Sequence, residues 1–179
     1  MSEGNGELTQ EQCEAELREP RSDDEYWKTL KDFWIGFGRS GRNVQFWLDA
    51  FRKPRGGREQ NLMDANERAA LANLPNPVVL YRGVLDGKHA LGMSWTDDLN
   101  QAARFAYPHG VVVKAVVPKQ LVLAYFLVQH ENEVVIDPTT IEFETYLMSA
   151  EELERRASRA KRQGSEKASR EVLEGKKRG

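Results

Sequence analysis

The chain has 179 residues, enough for one domain with tails rather than two full domains. Apolar residues make up 40 % and the formal net charge is −2, so bulk composition does not call for nucleic acid or a membrane as the partner of the whole chain. One cysteine, Cys13, excludes an internal disulfide, and with no CxxC or Cys/His cluster no metal site is expected.

Residues 1–25 hold nine Asp/Glu against Arg18 and Arg21. Residues 1–21 show little periodicity and read as a disordered acidic head. The opening MSEGNGELTQ has no basic or apolar region of the kind a signal peptide carries, and no window approaches the ~18 apolar residues of a membrane span. A cytoplasmic, membrane-free protein is therefore expected. Cys13 has no basic neighbour in sequence to activate its thiol.

Ser22-Asp23-Asp24-Glu25 is a capping box, and Tyr26, Trp27, Leu30, Phe33, Trp34 and Phe37 follow at helical spacing until glycines at 36, 38 and 41. A short helix is expected over 44–52, carrying Phe46, Trp47, Leu48 and Phe51. Another is expected over 64–74, opened by Asp64-Ala65-Asn66-Glu67 and closed by Pro75 and Pro77. Aromatics at such spacing are core far more often than a ligand box.

After Pro77 the period changes. Val78–Tyr81 reads as a buried strand ending at Arg82-Gly83, and Met93–Thr96 as a shorter one. Asp97 and Asp98 cap a helix through Tyr107. Further strands are expected at Gly110–Val117, Leu121–Tyr125, Glu133–Ile136 and Ile141–Leu147. Ser149 opens a charged helix to about Arg162, with 164–179 as a loose tail; residues 151–179 carry ten Lys/Arg against six Glu. Helices first, then short strands with one helix inserted, argue an α+β fold. The domain is expected over 22–148, with a helical layer at 22–74 and a β core at 78–148, followed by a charged helix and basic tail at 149–179.

Three marks carry chemistry. Arg82, at a strand end, can hold a phosphate or carboxylate with both arms of its guanidinium, although an ion-paired or solvent-facing arginine would look the same. Ser94 and Thr96 flank Trp95 and share one strand face, where a hydroxyl can orient a carboxylate; an ordinary edge strand before a capped helix reads alike. Glu131 and Glu133 face the same way at the start of an apolar strand, where an unpartnered buried carboxylate is costly.

In this order, the strand-end Arg, the Ser-x-Thr strand with its Ala-x-Phe-Ala helix, and the Glu-x-Glu strand resemble the arginine, Ser-Thr-Ser, Glu-x-Glu class of ADP-ribosyltransferases, including bacterial toxin-like and phage-type members. The resemblance spans Val78 to Leu147, with the helices before it in place of that family's N-terminal helical layer. It implies two small packed β-sheets, NAD as substrate without a metal, nicotinamide release, and transfer of ADP-ribose to an acceptor, expected to be a protein arginine. It implies a bacterial or phage-infected host cytoplasm. Glu133 would be the catalytic carboxylate, Glu131 would orient the acceptor, Arg82 would hold an NAD phosphate and Ser94 would orient Glu133. Gly83 and Thr96 would border the NAD site. Tyr81 and Phe105 would either line the pocket or serve as core. Two departures stand out. Trp95 and Thr96 fill the second and third positions of the Ser-Thr-Ser triplet, and the acceptor-presenting loop, placed at Tyr125–His130, is unusually apolar. His109 and His130 read as loop residues. A nucleic-acid acceptor reached through Arg155, Arg156, Arg159, Lys161 and Arg162, a non-catalytic NAD- or ADP-ribose-binding module, and a scaffold built on the aromatic helices are the competing readings; an inhibitor or antitoxin partner is left open.

Overall fold

The computed structural model describes residues 9–19, 21–36, 43–85, 92–128, 131–146 and 148–177. They form an α+β chain with seven α-helices and two antiparallel three-stranded sheets among the described residues. The chain divides into two compact units, Met1–Ala69 and Ala70–Gly179.

The first unit is helical. Helix α1 spans Gln10–Arg18, within the segment expected to be disordered. Its capping box is built from Thr9 and Gln12, and Cys13 and Leu17, four residues apart, are both buried. Two buried side chains are too few to register as an apolar period, which is why a polar composition conceals this helix. Arg21 ties it onward through a 2.8 Å ion pair to Glu16 and a 2.7 Å hydrogen bond to the Thr29 hydroxyl.

Helix α2 (Asp23–Gly36) starts at the expected capping box. The Ser22 amide and hydroxyl both donate to Glu25 Oε2, at 3.0 and 2.8 Å, and these bonds from Ser22 hold the Glu25 carboxyl below its ordinary pKa. Phe37, Gly38 and Gly41, expected at the end of this helix, lie outside the described residues. Helix α3 (Val44–Phe51) begins at Asn43, whose side chain accepts the Phe46 amide. Helix α4 (Arg58–Leu62) was not anticipated; it follows Gly57, which has a left-handed φ of 67°. Helix α5 (Ala65–Asn73) starts at Asp64, which accepts the Asn66 and Glu67 amides, and the boundary between the units falls within it. Buried Glu67 pairs with Lys31 of α2 at 2.5 Å.

Tyr26, Trp27, Trp34, Trp47 and Phe51 are fully buried, which makes them the core of this unit; Phe33 and Phe46 are half-buried. The Tyr26 hydroxyl donates to the Ala50 carbonyl, and burial pushes its pKa up to about 12. Cys13 is buried as well, and desolvation raises its thiol pKa, only partly offset by a backbone hydrogen bond. A raised pKa means less thiolate at any working pH. Iodoacetamide should therefore alkylate Cys13 in the native protein slower than in the urea-unfolded chain by on the order of tenfold or more. Equal rates in the two states would show that the thiol is open.

The second unit holds both sheets. Strands β1 (Val78–Val84), β3 (Val111–Val117) and β6 (Phe143–Tyr146) form one, in the order β1-β3-β6. Strands β2 (Ser94–Trp95), β5 (Glu131–Ile136) and β4 (Val122–Val128) form the other, in the order β2-β5-β4. The sheets are joined where Tyr81 and Thr96 exchange both backbone hydrogen bonds, at 2.7 and 2.9 Å. Helix α6 (Leu99–Ala106) starts at Asp98, which accepts the Asn100 amide. Its Ala102, Ala103 and Ala106 pack with Val112 and with Leu153 of helix α7 (Ala150–Lys177), and Tyr81, Leu99, Tyr146 and Met148 border this core.

Helix α7 continues well past the expected end at Arg162, through the segment read as a loose tail. The added length contains no proline, and eight of its fifteen residues are Lys, Arg, Glu or Ala, which have high intrinsic helix propensity. Leu147, at the end of the last expected strand, lies outside the described residues. None of the helices among the described residues is long and apolar enough to cross a membrane.

Candidate functional site

Arg82 sits on β1, one residue beyond the bridge between the sheets. Its Nη1 donates to the Ser94 carbonyl at 2.5 Å, so the first two sequence marks meet directly. The approach depends on Gly92, where an added Cβ would stand 2.5 Å from Arg82 Cζ. Trp95 holds that glycine: its indole N–H donates to the Gly92 carbonyl at 2.7 Å. This gives the tryptophan in the middle of the Ser-x-Thr strand a definite task. Gly92 carries no periodic signal, and sequence reasoning passed over it.

Gly83 faces α6. A Cβ there would lie 2.8 Å from the Ala106 amide nitrogen, so close packing of the helix accounts for the missing side chain without a ligand. Tyr81 is half-buried and makes an edge-to-face contact with Tyr146 at 6.0 Å, on the border of the α6/α7 core. Of its two expected roles, this contact serves the core.

Strand β2 pairs with β5 in the register Ser94↔Val135 and Trp95↔Val134. Val135, Glu133 and Glu131 alternate along β5 and so share a face, as Ser94 and Thr96 do on either side of Trp95. Opposed residues of antiparallel strands share a face, so Ser94, Thr96, Glu131 and Glu133 line one face of the sheet. Ser94 and Glu133 are diagonal neighbours, a separation of about 7–8 Å that long side chains can span. Glu133 is only 5 % exposed and lies across from Phe126 of β4. Thr96 is buried, and its Oγ1 accepts the Asp98 amide at 3.1 Å, which joins β2 to the start of α6.

Glu131 is engaged by a residue the sequence reading did not single out. Arg104 of α6 forms an ion pair with Glu131 through Nη2 and Oε1, and its guanidinium lies 4.9 Å from the centroid of the half-buried Phe105 ring.

The other face of β5 carries a second polar group. Asn132 and the Tyr125 hydroxyl both donate to Asp97, at 3.2 and 3.3 Å. Burial raises the Tyr125 pKa, and the negative charge of Asp97 raises it further. Asp97 thus faces β4 and β5, leaving the cap of α6 to Asp98. The residue between the two glutamates was the available signal for this cluster.

One expectation is overturned. Tyr125–Val128, placed in the acceptor-presenting loop, belong to β4 and pair with β5 from Val134 to Glu131. Their apolar character is that of a mostly buried strand. Gln129 and His130 lie outside the described residues, whereas His109 sits in an exposed turn.

A cleft of about 760 Å³ is lined by Asn100, Arg155, Arg156, Arg159, Arg162, Gln163 and Glu166, and none of the three marks is in its lining. Arg156 is held at its edge by Glu152 and donates to Asn100. Among the described residues no group of three or more His, Cys, Asp or Glu side chains could hold a metal ion.

Fold and site together define an α+β chain in which an arginine, a Ser-x-Thr strand and a Glu-x-Glu strand occupy three adjoining strands, β1, β2 and β5. No protein-family model matches the chain, and neither the curated proteins nor the solved structures gave a match.

Proposed function

We propose that the chain is a mono-ADP-ribosyltransferase that cleaves NAD, releases nicotinamide and transfers ADP-ribose to an arginine of a protein. The observation that carries this reading is the meeting of segments distant in sequence. Arg82 contacts the backbone of Ser94, and the β2–β5 register pairs Ser94 with Val135, two residues along the strand from Glu133. Cleaving the nicotinamide–ribose bond builds positive charge on the ribose, as glycoside hydrolysis does. In this reading the Glu133 carboxylate stabilises that charge, Ser94 orients it and Arg82 anchors a phosphate of the dinucleotide. Glu131 receives the acceptor guanidinium, which is protonated at neutral pH and so pairs with a carboxylate.

A second reading, with nucleic acid as acceptor, is favoured by the arginine-lined cleft. Arg155, Arg159 and Arg162 recur at i, i+4 and i+7 along one stripe of α7, and four arginines against Glu166 leave its wall positive in a chain of net charge −2.

Incubating the purified chain with adenylate-labelled NAD and a cell lysate, then separating protein from nucleic acid, tests both. The expected result is nicotinamide release with protein-bound label that hydroxylamine strips. Label confined to nucleic acid would transfer the conclusion to the second reading. NAD binding with no nicotinamide release would leave a binding module, and no binding at all would remove the proposal.

A further inference from the structure

The function proposed above gives Glu131 one task, to receive a guanidinium. The structure already puts a guanidinium on that carboxylate, from Arg104 of the same unit. The side chains are 32 % and 14 % exposed, so the pair is partly withdrawn from water and is screened less by salt than a surface pair. It differs from the other ion pairs described in this unit. Lys114–Glu144 crosses two strands with its acid mostly exposed, and Arg156–Glu152 is a pair along one turn of helix. The Arg104 pair has its acid on the Glu-x-Glu strand.

Arg104 lies in the last turn of α6, whose backbone is held by the Asp98 cap and by packing against Gly83. The side chain can therefore leave Glu131 by rotating about its own bonds, with the helix in place. The Phe105 ring beside the guanidinium offers a second surface for a cation.

We propose that Arg104 is an internal occupant of the acceptor subsite and determines which acceptors enter it; this rests on the proposed transferase function. A tethered guanidinium competes at an effective concentration of roughly millimolar or above. A small free guanidine at lower concentration displaces it poorly. An arginine on a protein surface brings further contacts that add to the exchange, so the subsite selects arginine in a macromolecule over free arginine or agmatine.

The test uses agmatine as probe on the full chain, with binding followed by NMR for the wild type, Arg104→Gln, Glu131→Gln and the double variant. Arg104→Gln should bind agmatine about tenfold more tightly than the wild type, and the gain should vanish in the double variant. Arg104→Lys, which retains a tethered cation, should stay close to wild type, and thermal melting identifies any variant that fails to fold. In transfer assays the agmatine KM of Arg104→Gln should fall by a similar factor. Equal agmatine affinity in the wild type, Arg104→Gln and Arg104→Lys, with nicotinamide release intact, would overturn this inference alone. Failure of the wild type to release nicotinamide from NAD would overturn the transferase function and this inference with it.

Discussion

Replacing Glu133 by Gln should lower nicotinamide release by about a thousandfold or more while the protein stays folded. The side chain is 5 % exposed on a strand paired on both sides, so an isosteric amide keeps the packing. What it removes is the negative charge, and preorganised electrostatic stabilisation of a transition state is worth roughly 10²–10³ per interacting group, more where the group bears full charge. Thermal melting of the variant separates lost chemistry from lost folding. Glu131→Gln separates the two acids: it should retain slow nicotinamide release to water and lose transfer to arginine. Wild-type release by Glu133→Gln would remove Glu133 from the chemistry and, with it, the reading of the three strands as one site.

Trp34→Ala should produce the largest loss of stability. The indole is fully buried and makes edge-to-face contacts with Trp47 at 5.2 Å and Phe51 at 5.1 Å. Truncating a buried Trp costs about 3–5 kcal/mol, a total that includes its lost aromatic contacts. Set against a total of about 5–15 kcal/mol for a typical domain, this is enough to abolish cooperative unfolding of the Met1–Ala69 unit. The expected readout is loss of near-ultraviolet dichroism with most of the second unit's β signal retained. A midpoint within about 2 °C of wild type would contradict the central place of Trp34 in this core. Lys31→Met, which strands buried Glu67 without its cation, should cost less because Lys31 is itself partly exposed.

Much of the local structure was legible before any coordinates. The capping boxes at Ser22 and Asp64 announce α2 and α5, because a hydroxyl or carboxylate followed three residues later by Glu satisfies amides that have no partner inside the helix. The valine-rich run after Gly110 announces β3, bounded by Pro118. Helix α1 was missed because its buried face is only Cys13 and Leu17, and the length of α7 was missed because a charged run in isolation reads like a solvated tail.

By itself the sequence determined the α+β class, the order of helices and strands, and the three short patterns at Arg82, Ser94–Thr96 and Glu131–Glu133. These depend on neighbouring residues, and local periodicity reports neighbours. Only the tertiary structure decided that Tyr81 and Thr96 bridge the sheets, that Gly92 makes room for Arg82, that Asp97 turns toward Tyr125 and Asn132, and that Arg104 lies on Glu131. Each of these joins residues far apart in the chain. Strand pairing and side-chain reach across a sheet are set by the packing of whole elements, and no local spacing rule encodes which distant residue will complete a contact.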